Sequence, residues 1–151
     1  MPVQPIPDGY TSLTPHLIVD GAARAICFYK QLFGAAEILR MSSGGKIGHA
    51  ELQIGNARLM LADEFPELGV RSPRHYGGTP LSLLVYVPDV DVVFARAVRE
   101  GCKVRKPVAT QFYGDRTGTF EDPFGHQWTA ATHVEDVPPA ELERRSKQQH
   151  G

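Results

Sequence analysis

The stretch Leu13–Gly34, LTPHLIVDGAARAICFYKQLFG, decides the fold. Its first part, Leu13–Val19, is apolar and β-branched, the character of a strand. Asp20 then stands where a helix needs a cap. In Gly21–Phe33 the apolar residues Ala25, Ile26, Tyr29, Leu32 and Phe33 recur at i, i+1, i+4, i+7 and i+8, one stripe of an amphipathic helix. Gly34 closes it, because glycine accepts the left-handed turn that ends many helices. Outward from there, Glu37–Met41, Lys46–Ile54 and Ala57–Ala62 read as strands. Gly44-Gly45 and Gly55-Asn56 supply the positive φ of tight hairpins between them. The first half therefore reads β-α-β-β-β.

The same order returns in the second half. Leu81–Val87 reads as a strand, and Asp89 or Asp91 caps a second helix. Val90, Val93, Phe94, Ala97 and Val98 line one face of that helix, and Gly101 ends it. Lys103–Lys106, Thr117–Glu121 and Gln127–His133 follow as strands, the last two joined at Asp122-Pro123-Phe124-Gly125. Placing Val19 over Val87 brings the helices and their terminal glycines within a residue of each other, so the repeat is one of element order and period. The expected organisation is an arm (1–12), a module (13–63), a connection (64–79), a second module (80–133) and a tail (134–151). In the tail, Pro138–Gln149 is expected as a charged helix. Each module is too small to cover both faces of its sheet, so the modules should cover each other or those of a second chain.

Composition sets the outer limits. The chain has 151 residues, 16 Lys+Arg against 17 Asp+Glu, and a formal net charge of −1. That balance lacks the pull of a nucleic-acid or membrane-surface binder, so neither partner is expected. Apolar residues make up 42% of the chain, enough for a packed core and too many for wholesale disorder. No apolar run approaches the roughly 18 residues of a membrane span. The start, MPVQPIPDGY, has neither the basic residues nor the apolar stretch of a signal peptide. Cys27 and Cys102 lie in apolar helical patterns. They are expected as buried thiols of a cytoplasmic protein, with a single bridge as the alternative. The 15 Gly and 12 Pro punctuate the chain into short elements, which favours strands over a helical bundle.

Alternation assigns the faces of the first sheet. Ala50, Leu52 and Ile54 face the helix, which leaves His49, Glu51 and Gln53 on the opposite side. Leu59 and Leu61 suit the helix side, which sends Arg58, Met60 and Ala62 the other way. The non-helix face is therefore partly polar, either wet or the lining of a cavity.

The runs His16-Leu-Ile-Val-Asp-Gly-Ala-Ala-Arg-Ala-Ile-Cys-Phe28-Tyr29, Gly48-His49-Ala50-Glu51-Leu52 and Gly118-Thr-Phe-Glu-Asp122-Pro-Phe-Gly125-His126-Gln-Trp128 resemble the vicinal oxygen chelate superfamily. That superfamily includes glyoxalase I, bleomycin- and fosfomycin-resistance proteins and ring-cleaving dioxygenases. The likeness is greatest to its PhnB-like, glyoxalase/bleomycin-resistance branch and runs from about Leu13 to His133. It implies an α+β fold in which two βαβββ modules form curved mixed sheets around a cavity, often across a homodimer. Function is a separate question, because this fold hosts lyases, epimerases, oxygenases and pure drug binders. The metal-dependent members carry His, Gln or Glu on the first and last strand of each module. Those positions fall here on Thr14, Met60, Ser82 and Thr129. Hydroxyls and a thioether do not match the imidazole and carboxylate donors of Zn²⁺, Ni²⁺ or Fe²⁺ sites. No cofactor is therefore expected, and a divalent metal is disfavoured.

Other residues on the same faces are candidates. His16 shares the face of Thr14, and with His49 and Glu51 it could form a displaced metal site. The three could instead orient a small ligand, one histidine moving a proton near neutral pH, or be no more than a solvated polar patch. In the second module, Gln111–Arg116 borders the cavity mouth in the resembling proteins. Phe112, Tyr113 and Arg116 there could grip a flat or anionic ligand, or Asp115 and Arg116 could be a turn and a salt bridge. Gln127 shares the face of Thr129, while Trp128 is core. His126 reads as a surface or turn residue, and His75, His133 and His150 as incidental. There is no Gly-x-Gly-x-x-Gly fingerprint, phosphate loop or Gly-x-Ser-x-Gly elbow.

Two functions follow. One is a binding protein, holding an apolar or aromatic ligand on His16, His49, Glu51, Met60, Ser82, Phe112, Tyr113, Arg116, Gln127 and Thr129. The other is a lyase, isomerase or epimerase using His16, His49 and Glu51 around a displaced metal or as acid–base groups. A purely structural dimeric module is a third and weaker reading.

Overall fold

The computed structural model of the chain describes residues 2–149, so His150 lies outside the described residues. The chain forms two compact units, Met1–Thr79 and Pro80–Gly151. In the first, β1 (His16–Val19), α1 (Ala22–Phe33), β2 (Ala36–Ser43), β3 (Lys46–Ile54) and β4 (Ala57–Asp63) build a sheet in the order β1-β4-β3-β2. β1 and β4 are parallel and the other pairs antiparallel. A 3-10 turn (Pro66–Leu68) and the short α2 (Pro73–Tyr76) complete this unit. In the second unit, β5 (Ser82–Tyr86), α3 (Val90–Arg99), β6 (Lys103–Thr110), β7 (Asp115–Glu121) and β8 (Gln127–His133) repeat the pattern in the order β5-β8-β7-β6. α4 (Pro139–Gln149) follows. The fold is thus α+β, with two βαβββ modules and one mixed four-stranded sheet in each.

α1 lies on its sheet as its stripe requires, whereas α3 buries Val90, Val93 and Ala97 but leaves Val98 exposed, contrary to the expected stripe. Leu17, Ile26, Tyr29, Leu32, Leu52 and Leu61 are fully buried in the first unit, as are Phe120 and Val90 in the second. Gly118 makes room for α3, since a Cβ there would stand 2.7 Å from the Phe94 ring. Among the described residues no helix is long and apolar enough to cross a membrane.

Several local expectations change. Asp20 does not cap α1. Gly21 takes the cap position with φ 107°, and the carboxylate comes from the far end of the module. Asp63 Oδ1 accepts from Gly21 N at 3.2 Å and Ala22 N at 2.7 Å, and its Oδ2 accepts from Ile47 N at 2.7 Å. The second module has a counterpart in Thr132. Its Oγ1 accepts from Val90 N at 2.9 Å and donates to Val87 O at 2.8 Å. Asp89 adds a local cap there, accepting from Asp91 N and Val92 N.

β1 begins at His16, three residues later than expected, because Pro15 has no N–H for the ladder; its carbonyl still accepts from Met60 N. β6 extends through Pro107 to Thr110, which an edge strand with a register shift tolerates. Cys27 is exposed, not buried, and both cysteines are free. Cys102 is buried, and that burial raises its thiol pKa to about 12. His126 is no surface residue: it is 8% exposed, closed into the turn that Asp122 organises. Asp122 Oδ1 accepts from Phe124 N at 2.8 Å and His126 N at 3.0 Å, while Oδ2 accepts from Trp128 Nε1 at 2.9 Å. Trp128 is core, 3% exposed.

Candidate functional site

The expected site residues fall into two groups, one in each unit. In the first unit the ladder sets His16 opposite Met60 and Met60 opposite Glu51, so the three form a row across β1, β4 and β3 on the non-helix face. His49 lies two residues before Glu51 on the same face. Its Nε2 is 2.8 Å from Glu51 Oε2, and its ring centroid is 5.9 Å from that of His16. Burial and then the neighbouring His49 ring hold the His16 imidazole below the usual histidine value, against its own backbone hydrogen bond. Both effects favour the uncharged form of the His16 imidazole. The Glu51 carboxylate fixes the His49 ring, and Met60 stands in the row between His16 and Glu51. A concavity of about 400 Å³ belongs to the arm alone: residues 4–10 line it, and none of the row residues does.

In the second unit, Ser82 pairs with Gln127 and Leu84 with Thr129, placing Ser82, Gln127 and Thr129 on one face of β5 and β8. The Thr129 hydroxyl is already bonded to Thr119 Oγ1 at 2.8 Å. Phe112 and Tyr113 occupy the β6–β7 turn as a T-shaped pair, 5.4 Å between centroids, with Tyr113 exposed. The Arg116 guanidinium is engaged by other side chains: it forks onto Asp91, at the start of α3, at 2.8 and 2.9 Å, and donates to Thr110 Oγ1, at the end of β6, at 3.1 Å.

At the positions to which the sequence resemblance carries the superfamily's metal ligands, Thr14, Met60, Ser82 and Thr129, this chain has no imidazole or carboxylate. Met60 offers a thioether and Thr129 a hydroxyl already engaged by Thr119, a donor set that does not fit a catalytic divalent ion. Among the described residues, no three His, Cys, Asp or Glu side chains are grouped to hold a metal.

A second polar network lies outside the residues that the sequence singles out. Tyr86 Oη donates to Asp115 Oδ2 at 2.8 Å, and His133 lies between Asp115 Oδ1 at 2.7 Å and Asp136 Oδ1 at 2.6 Å. Continuing the Gln127–Thr129 alternation by four residues would have placed His133 on that face. The hydrogen bond to Asp115, then that to Asp136, raises the His133 pKa above the usual histidine value. Burial pushes the Asp115 carboxyl up, but the hydrogen bonds from His133 and Tyr86 outweigh it and leave it lowered. Beside this network the tail clasps the β6–β7 turn. Val134 N and Glu135 N both donate to Gly114 O, and Arg145 donates to Phe112 O and to Glu135. Gly114, at φ 105°, is required, because a Cβ would fall on the Glu135 carbonyl.

The sign of the pH effect follows. A raised histidine contributes fully below about pH 6.5 and loses that contribution as pH rises through its folded value. A lowered aspartate contributes above about pH 3.9 and loses it as pH falls. The clasp should be tightest between those limits. Hydrogen exchange at Val134 and Glu135, corrected for intrinsic rates, should accelerate as pH climbs past neutrality, and His133→Gln should flatten the profile. A profile already flat in the wild type would count against this assignment.

The chain belongs to the Glyoxalase/Bleomycin resistance protein/Dioxygenase superfamily, whose sequence profile matches residues 10–130. Among its relatives, the uncharacterized protein Mb0911c of Mycobacterium bovis is 41% identical over 136 residues, covering 87% of this chain and 90% of that protein. The crystal structure of TioX from Micromonospora sp. ML1 is similar with a TM-score of 0.65 and 27% identity, over 82% of this chain and 99% of TioX. The PhnB protein from Bacillus cereus shares the fold at 19% identity and a TM-score of 0.60, over 81% of this chain and 99% of that one.

Proposed function

We propose that this chain is a small-molecule-binding member of the superfamily, in its PhnB-like branch, that holds an apolar or aromatic ligand against the non-helix face of the first sheet. The observation that carries this reading is the row His16–Met60–Glu51. Where the metal-dependent members have a ligand, this row has a thioether between two polar ends. A thioether suits an aromatic face better than a divalent ion. A homodimer in the cytoplasm is part of the same reading.

His16, favoured in its uncharged form, and the His49–Glu51 pair beside it support a second reading, an isomerase or lyase working by acid–base transfer. It needs a ligand on the same face, so binding is tested first. In a thermal-shift screen, aromatic compounds should stabilise the protein, by about 2.7 kcal/mol at a hundredfold excess over Kd. His49→Ala and Met60→Ala should weaken that response. Silence across a broad aromatic library, together with one tightly held divalent ion per chain that His49→Ala releases, would overturn the proposal.

A further inference from the structure

Among the described residues, two buried side-chain polar atoms lack a hydrogen-bond partner: the Tyr10 hydroxyl and Arg58 Nη1. They occur together. Arg58 Cζ lies 5.1 Å from the Tyr10 ring centroid, and Arg58 Nε donates to Gly9 O at 3.2 Å. The N-terminal arm thus lies over a guanidinium on β4. None of the described acidic side chains forms an ion pair with Arg58, whereas Arg116 and Arg145 both hold carboxylates. A buried cationic donor without an acceptor is costly, and a planar guanidinium is best completed by a carboxylate.

The position of Arg58 matters as much as its unpartnered Nη1. It pairs with Gln53 and precedes Met60 by two residues on the same strand. The two side chains therefore share one face with roughly 7 Å between their Cα atoms. We infer that Arg58 and Tyr10 form the anion subsite of the Met60 face, so that the ligand is an aromatic or apolar carboxylate. Its ring lies on Met60 between His16 and Glu51, and its carboxylate accepts from Arg58 Nη1 and the Tyr10 hydroxyl. This rests on the binding reading above and adds the charge of the ligand to it. A carboxylate can accept from the two donors at once, one on each oxygen. Because the arm seals both atoms, the carboxylate enters as residues 7–10 lift, and once bound it holds them down.

The test compares 2-naphthoate with 2-naphthamide, two probes of one shape that differ in charge. Calorimetry on the wild-type chain should show naphthoate binding about tenfold or more tighter than the amide. Tyr10→Phe should shrink that ratio and Arg58→Gln should abolish it. Naphthoate, and not the amide, should slow hydrogen exchange in residues 7–10. If Arg58→Gln unfolds, Tyr10→Phe and the exchange data decide alone. Equal affinities for the two probes, or a ratio unchanged in the variants, mean that water meets the two donors, and overturn the inference while leaving the binding reading intact. If neither probe binds but acetate, unlike chloride, shifts the Arg58 Nε–H resonance, the anion subsite stands and the aromatic reading falls. If acetate is also silent, both fall.

Discussion

Asp122→Ala should lower the unfolding free energy by about 4 kcal/mol, among the largest losses available to a single substitution in this chain. The carboxylate is 2% exposed and accepts from two backbone amides and the Trp128 indole. Truncation leaves three donors facing a buried space, each costing on the order of 1–3 kcal/mol unless water reaches it. Asn is the informative control. Its Oδ1 can keep both amides, but its NH₂ then meets the indole N–H donor to donor, so Asp122→Asn should lose about half as much. Urea unfolding with an unchanged m-value measures both. A loss under about 1 kcal/mol for Ala would show that the turn is held by Pro123 and Gly125 geometry instead.

Asp63→Ala should follow at about 3 kcal/mol, because one side chain closes two elements. It caps the first turn of α1 through Gly21 and Ala22 and satisfies Ile47 at the start of β3. The damage should be local in a diagnostic way. Exchange at Gly21, Ala22 and Ile47 should accelerate together, while amides of the second unit keep their protection. Thr132→Val, the counterpart in the second module, should cost less, near 1 kcal/mol, since its hydroxyl serves one amide and Asp89 still caps α3. If Asp63→Ala leaves Ile47 protected, the link between helix and strand is wrong.

The element order was legible because it rests on period. The stripes of α1 and α3, the glycines after them and the paired hairpins all follow from local spacing. Alternation alone also places Met60, His49, Glu51 and Arg58 on one face. What sequence spacing does not carry is partnership across the module. Asp20 looked like a cap because it sits next to the helix, yet the carboxylate arrives from residue 63. Arg116 looked available because Asp91 is 25 residues away. His133 looked incidental because Asp115 and Tyr86 meet it only when β5, β7 and β8 are aligned. Pro107 looked like the end of a strand because an edge position cannot be recognised from composition.

The far-end caps also bear on how two look-alike modules avoid exchanging strands while they are being made. Gly21 and Ala22 wait 42 and 41 residues for Asp63, roughly 2 to 8 s of synthesis. Once it arrives, the first module holds every strand and cap it needs, without any residue of the second. Should β4 instead reach for the later helix, Asp63 would meet Asp89 and Asp91 at its start, carboxylate against carboxylate. Pro88, which has no N–H, stands in the neighbouring turn. In the opposite exchange, Thr132 brings one neutral hydroxyl to a helix start that needs two acceptors. A carboxylate in one module and a hydroxyl in the other thus make the two helix starts chemically unlike, so that an exchanged last strand would bring the wrong cap to each.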